Sequence, residues 1–216
     1  LLTVAVEPFA ECRACLGDDL DSNFSSVVMD IGGGTTDIAV IDDGGVEGTK
    51  MFSIGGKSFT HQIESALGVD FETAERYKLD FDSGKLDDAL KAKVETALSR
   101  NLSVWFTGVE VALEDFETIG SLPRNIMLCG GGASLSLLQE ELATSDWYDG
   151  LPFSRRPVIN LLDVHGLPNL SLGKFEQKLD HSFATALGLL RVGTDTLEGA
   201  PEEKGLKAKF AKLLQN

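Results

Sequence analysis

Residues 27–41 read VVMDIGGGTTDIAVI: two apolar runs of strand length flank three glycines and two threonines, bracketed by Asp30 and Asp37. Valine and isoleucine favour a pleated, buried surface. A glycine triplet between such runs supplies the positive-φ freedom of a tight hairpin. A tip without side chains leaves its backbone N–H groups bare, which suits a phosphate. Thr35 and Thr36 add hydroxyl donors, and Asp30 and Asp37 have the chemistry to hold a metal or orient a water. A surface β-turn would account for a lone glycine triplet. Buried strands on both sides, each ending in an acid, favour phosphate binding.

The strands around this hairpin extend it. Asp42-Asp43-Gly44-Gly45 is a second turn signal, and residues 46–54 read as a third strand, so the three make an antiparallel meander. Gly55-Gly56-Lys57-Ser58 superficially resembles a P-loop, but Met51 stands where that motif needs its first glycine, and no βαβ unit surrounds it. It reads instead as a strand-to-helix turn beside the phosphate cradle. Upstream, residues 1–6 read as a short strand, and Pro8 suits the first turn of a helix running to about residue 16. Cys12 and Cys15 form a C-x-x-C that lacks a second ligand pair for zinc and a thioredoxin-like context for redox chemistry, so both are expected to pack on that helix.

Helical patterning follows. Phe59, Ile63, Ala66 and Leu67 mark an amphipathic helix ended by Gly68, and Asp70 is the expected N-cap of a second. Residues 85–116 carry apolar side chains three or four apart, with Gly108 and residues 99–101 as expected points of bending or division. Residues 125–129 (NIMLC) then read as a buried strand, followed by Gly130-Gly131-Gly132-Ala133-Ser134 and a helix over about residues 135–143. Strand, glycine turn and helix N-terminus form a second place to receive an anion or a ribose-phosphate. Residues 146–179 are the least patterned part, with a strand expected near 157–162. Asp180 is expected to cap a helix whose alanines and Gly188 permit a close helix crossing. His61, His165 and His181 have no metal or triad spacing and read as structural.

Composition bounds the rest. With 216 residues the chain can bury a sizeable core, and 43% hydrophobic and 25% charged residues are ordinary for a globular domain. A net charge of -15 argues against a nucleic-acid partner, because a phosphate backbone demands a cationic surface. No apolar run approaches a transmembrane length and no signal peptide is visible. Three cysteines are too few for a disulfide framework and suit a reducing cytoplasm. The chain opens on Leu-Leu in what already reads as a strand, so a longer protein is expected. Residues 193–203 read as a polar linker. After it, residues 204–216 (KGLKAKFAKLLQN) place Leu206, Phe210, Leu213 and Leu214 on one helical face, with Lys204, Lys207, Lys209 and Lys212 around the flanks. A basic amphipathic helix on a linker reads as a membrane-surface or partner anchor. So short a helix would need avidity from oligomerisation.

Taken together these motifs resemble a family. Residues 30–37 (DIGGGTTD) resemble the second phosphate motif of the actin-like ATPase superfamily, which includes actin, the heat-shock chaperone ATPases and sugar kinases. Residues 7–10 (EPFA) look like the start of its first connecting helix, 127–134 (MLCGGGAS) like its adenosine motif, and 184–190 like its second connecting helix. Within the superfamily, residues 52–56 (FSIGG), Thr60 and residues 74–78 (AERYK) resemble the bacterial division protein FtsA and, next, its pilus relative PilM.

The resemblance implies an α/β, actin-like (ribonuclease H-like) fold: a mixed sheet with flanking helices and a mainly helical insertion. Residues 1–20 would form the edge of a first large subdomain, 21–56 and 121–195 subdomain 2A, 57–120 subdomain 2B, and 196–216 a linker and amphipathic tail. It implies ATP and Mg²⁺ as ligands. Gly32, Gly33, Gly34 and Thr35, with Thr36 beside them, would hold the β- and γ-phosphates, and Asp30 would act on Mg²⁺ or the attacking water. Glu75 and Lys78 would reach ribose and adenine, and Gly131, Gly132 and Ser134 would line the nucleoside. The first phosphate motif is not in this chain. Phosphoryl transfer needs both walls of the cleft, so this piece is expected to bind ATP weakly at best and hydrolyse almost none.

The implied role is a cytoplasmic protein, peripheral on the inner face of the cell membrane. It would associate into filaments and recruit division proteins such as the tubulin-like FtsZ. Leu206, Phe210, Leu213 and Leu214, with Lys207 and Lys209, would contact the membrane. A PilM-like role in pilus or secretion assembly is the alternative. A sugar or acetate kinase half ranks last, because no sugar-binding segment is evident.

Overall fold

The computed structural model describes residues 10–11, 24–116, 120–164 and 179–198. Cys12, Cys15, His165 and the membrane-facing candidates between Leu206 and Leu214 lie outside the described residues, as does most of the expected first-subdomain edge.

Five strands form one mixed sheet: β1 (Ser26–Ile31), β2 (Thr36–Asp42), β3 (Gly45–Phe52), β4 (Asn125–Cys129) and β5 (Val158–Leu161), in the order β3-β2-β1-β4-β5. The first three form the expected antiparallel meander, while β1, β4 and β5 run parallel. All six residues of β1 are buried, as befits a strand with a neighbour on each side and helices on both faces. The turn between β2 and β3 puts Asp43 at φ 46° and Gly44 at φ 71°, the left-handed pair that matches the twist of a two-residue hairpin.

The helices are α1 (Gly56–Leu67), α2 (Phe71–Asp82), α3 (Asp88–Glu114), α4 (Ser136–Thr144) and α5 (Ala184–Glu198). Asp70 caps α2 through Thr73 N–H, and Gly68 closes α1 at φ 66°, both where local sequence places them. Alternation along β1 sends Val27, Met29 and Ile31 into a large core shared with Phe59 and Ile63 of α1, Leu98, Trp105 and Leu113 of α3, and Leu138 of α4. Val28 points the other way, into a smaller core with Ala39, Ile41, Cys129 and, from α5, Ala184 and Leu187.

Three expectations are corrected. None of Gly32, Gly33 and Gly34 has positive φ, so the hairpin loop does not use that freedom; among the described glycines it falls to Gly44, Gly68, Gly84, Gly130 and Gly150. The long helix α3 is neither divided nor broken at residues 99–101 or at Gly108. A Cβ on Gly108 would lie 2.8 Å from the Phe52 ring, so the glycine admits a neighbouring aromatic. Helix α5 runs to Glu198, through the residues from Gly193 onward whose polar composition reads as linker. The expected close helix crossing is present: a Cβ on Gly188 would sit 1.8 Å from the carbonyl oxygen of Ala10, itself helical.

Candidate functional site

Strands β1 and β4 are parallel neighbours, and each runs at its carboxyl end into glycines: Gly32–Gly34 after β1, Gly130–Gly132 after β4. The crevice outside such strand ends is where open α/β sheets hold ligands. A third glycine turn, the pair Gly55-Gly56, joins them. Gly56 N–H donates to Gly32 O, and Lys57 N–H to Gly33 O, each at 2.8 Å. The turn from β3 into α1 is thereby stitched to the hairpin loop by main chain alone, which is why Gly55 must be glycine: its Cβ would meet Gly32 O at 2.6 Å.

A cavity of about 440 Å³ opens between these turns, lined by Gly32, Gly33, Gly56, Gly131, Gly132, Ser134 and the α2 residues Glu75, Lys78 and Asp82, among others. The glycines of these turns differ in the space around them. A Cβ on Gly34 or Gly131 would meet nothing within 4 Å, and one on Gly33 would touch only the Lys57 side chain. The protein itself leaves that room open, as close backbone approach to a ligand requires. Gly132 differs, since its Cβ would lie 2.5 Å from Ile31 Cγ2. The N-terminus of α1 has no side-chain cap and no acid in its first turn, and its first N–H groups are taken up by the carbonyls of Gly32, Gly33 and Gly55.

Glu75 and Lys78 form an ion pair at 2.8 Å on the cavity wall. Lys78 Nζ also donates to Thr60 Oγ1 at 2.8 Å and to Gly56 O at 3.0 Å, and Thr60 donates to Glu75. Burial works against the Glu75 charge, but the hydrogen bonds from Lys78 and Thr60 and the lysine charge outweigh it and hold the carboxyl below its ordinary value. Asp37, across the ladder from Asp30, shifts the opposite way. Partial burial and the neighbouring Asp30 charge push its carboxyl up, against a hydrogen bond from Thr35.

Of the residues singled out in the sequence, Gly32, Gly33, Glu75, Lys78, Gly131, Gly132 and Ser134 come together around this cavity. Gly34 and Thr35 sit in the same loop without lining it. Thr36 is turned into the core, its hydroxyl donating to Ile54 O at 2.7 Å and accepting from Trp105 Nε1 at 2.9 Å. Asp30 lies behind the loop on the α5 face. Its Oδ2 accepts from Thr185 Oγ1 at 3.1 Å, and the Glu11 carboxylate lies 3.4 Å from the same hydroxyl. Ligand-type atoms of Glu11, Asp30 and Cys129 all lie within 4.8 Å of one another. Two carboxylates suit a hard cation such as Mg²⁺, whereas the thiol does not.

Several neighbours had no sequence signal of their own. Lys57 lies over Gly33, and it is visible in sequence only through the P-loop likeness that fails. His181, isolated in sequence, brings Nε2 to 3.1 Å from Ser134 Oγ, and its carbonyl accepts from Gly130 N–H. Asp82 reaches the site through the length of α2. Among the described residues, no helix is long and apolar enough to cross a membrane.

Comparison with known proteins places this geometry. The model of the family "Cell division protein FtsA" matches residues 27–188. The chain is 29% identical over 161 residues to cell division protein FtsA of Bacillus subtilis strain 168, covering 64% of this chain and 36% of that protein. It is 32% identical over 84 residues to FtsA of Neisseria meningitidis serogroup B, covering 39% of this chain and 20% of that protein. The chain thus spans about a third or less of the length of these relatives. Among solved structures, the PilM-PilN type IV pilus biogenesis complex matches with a TM-score of 0.66 at 22% identity, over 88% of this chain and 52% of that one. The ethanolamine utilization protein EutJ of Carboxydothermus hydrogenoformans matches with a TM-score of 0.56 at 23% identity, over 87% and 54%. These two likenesses establish the fold, a mixed sheet with flanking helices of the actin-like ATPase kind. The family match takes in both glycine turns, the helices between them and the start of α5, and by it the chain belongs to the cell division protein FtsA family.

Proposed function

We propose that the chain is the nucleotide-holding part of an actin-like protein acting in bacterial cell division, with ATP as its ligand. The observation that carries this reading is the cavity where three glycine turns meet a lysine–glutamate pair. Gly32, Gly33, Gly34 and Thr35 would take the β- and γ-phosphates, chiefly through the N–H groups of Gly33, Gly34 and Thr35, since Gly32 N–H donates to Thr35 O. Glu75 and Lys78 would meet the ribose and base, and Gly131, Gly132 and Ser134 the nucleoside. Asp30 would hold a hydrated Mg²⁺ through water. The ion would neutralise phosphate charge.

The helices between β3 and β4 would correspond to the smaller subdomain 2B and the sheet with α4 and α5 to 2A. Around the nucleotide, the whole protein would associate into filaments, recruit division proteins such as FtsZ, and reach the inner membrane face through residues 204–216. The pilus-assembly alternative has fold similarity behind it; the division role has sequence similarity as well.

Fluorescence titration of the chain with an N-methylanthraniloyl derivative of ATP tests the nucleotide reading. Weak, saturable binding that Gly131→Val removes is expected, since the valine side chain enters the open cradle. No saturable signal, or binding indifferent to Gly131→Val, overturns it.

A further inference from the structure

We infer that the outer face of α5 is the docking site for residues 204–216 of the same chain, which close a helical hairpin there until a bilayer competes for them. The inner face of α5 is already packed: Ala184 and Leu187 enter the smaller core, and Gly188 lies against Ala10. The outer face is apolar and bare. Leu189 is 43% exposed, Leu190 53% and Leu197 66%. Between Leu190 and Leu197 stands Gly193, where an added Cβ would meet nothing within 4 Å. Leu190, Gly193 and Leu197 share one helical stripe. An apolar stripe of this kind left in water marks a surface that takes a partner.

The chain carries a segment that matches it. Backward from Leu197 the stripe continues at Gly193, Leu190 and Leu189, at intervals of four, three and one. Forward from Leu206 the apolar face of the tail continues at Phe210, Leu213 and Leu214, at the same intervals. Two antiparallel helices therefore align all four pairs in a single register. Leu197 comes opposite Leu206, Gly193 opposite Phe210, Leu190 opposite Leu213 and Leu189 opposite Leu214. The bulkiest side chain of the tail thus meets the gap at the glycine, the alternation of large and small that close packing of helices requires. The connection suits a sharp reversal. Gly199 follows the last residue of α5 and Pro201 lies two positions further, a common pair at a helix stop. Residues 199–203 leave a loop of five, a length that joins antiparallel helices. Charge agrees as well: residues 204–216 hold four lysines and no acid, in a chain of net charge -15. A helix this short is marginal by itself, and α5 offers it the packing it lacks. Bilayer contact would use the same Leu206, Phe210, Leu213 and Leu214, so docking and membrane binding exclude each other. That release rests on the membrane reading above; the docking does not.

A version of the chain with the photoreactive p-benzoylphenylalanine at position 210 tests the docking. Irradiation should join position 210 to residues 189–197 within one chain, read by mass spectrometry of the monomer band. Gly193→Leu fills the gap opposite position 210 while favouring the helix, so this variant should keep its fold and lose that cross-link. Vesicles rich in phosphatidylglycerol should also remove the cross-link as the chain with Gly193 intact pellets with them. Cross-links between two chains make a second copy the occupant and overturn the assignment. Cross-links elsewhere, none at all, or an undiminished yield in folded Gly193→Leu overturn it too. A cross-link that persists in the pelleted chain overturns the release by a bilayer. Failure to pellet overturns the membrane reading, while the cross-link map still decides the docking.

Discussion

The indole N–H of Trp105 donates to the hydroxyl of Thr36 at 2.9 Å, joining the middle of α3 to the first residue of β2 across 69 positions of sequence. Both residues are fully buried, and the same threonine hydroxyl donates onward to Ile54 O at 2.7 Å. The relay ties the helical segment, the hairpin and the end of β3 together at the back of the glycine loop.

Thr36→Val tests this relay. The substitution keeps the volume and strands two buried polar groups, the Trp105 N–H and the Ile54 carbonyl. Each stranded group costs about 1–3 kcal/mol, so the urea midpoint should fall clearly, with little change in slope. A midpoint matching the unaltered chain would show that the relay contributes nothing to stability.

The glycines of the site should separate into two kinds. Gly34→Ala places its methyl in open space, so the melting temperature should hold while nucleotide binding weakens. Gly132→Ala drives a methyl to 2.5 Å from Ile31 Cγ2 and 2.8 Å from its carbonyl oxygen, so the fold itself should lose about 1–3 kcal/mol. Calorimetry on both variants checks the contrast. Equal losses of stability would mean that the loop glycines are packing residues alone.

The Glu75 carboxyl titrates below its ordinary value of 4.5 in the folded chain. Its contribution to stability is therefore fully present above the unfolded value and is lost as pH falls through the folded one. Glu75→Gln should lower the melting temperature near neutral pH and match the unaltered chain in acid. A gap that persists undiminished at about pH 3 contradicts the assignment. Asp37, raised by burial, works in the opposite sense: its contribution is present in acid and is lost as pH rises through its folded pKa.

Co-sedimentation with vesicles rich in anionic lipid tests the tail. A basic amphipathic segment gains about 1 kcal/mol per surface lysine from such a bilayer, so the chain should pellet with vesicles and a version ending at residue 203 should not. Pelleting that is indifferent to residues 204–216 removes the membrane role from the proposal.

Local rules made much of the fold legible. The Asp70 cap, the Gly68 stop, the meander and the β4 strand depend on neighbouring residues, and each lies where its sequence signal puts it. The convergence of both glycine turns with Glu75 and Lys78 was implied by the family resemblance and by no local signal of those two residues. What stayed hidden depends on distant partners. Thr36 looks like a phosphate donor until Trp105 claims it, and Gly108 looks like a helix breaker until Phe52 fills its gap. Asp82 gives no signal because its partner Ser136 is 54 positions away.

The alternation of β1 has a consequence for how the chain finds its fold. Val27, Met29 and Ile31 enter the large core, and Asp30 faces α5. A slip of one residue in pairing would exchange the two faces and push that carboxylate among Leu98, Trp105 and Leu128. An unpaired charge there costs several kcal/mol, which disfavours the slipped register. The carboxylate of Asp30 thus specifies strand registry by making the one-residue slip costly, independently of any ligand.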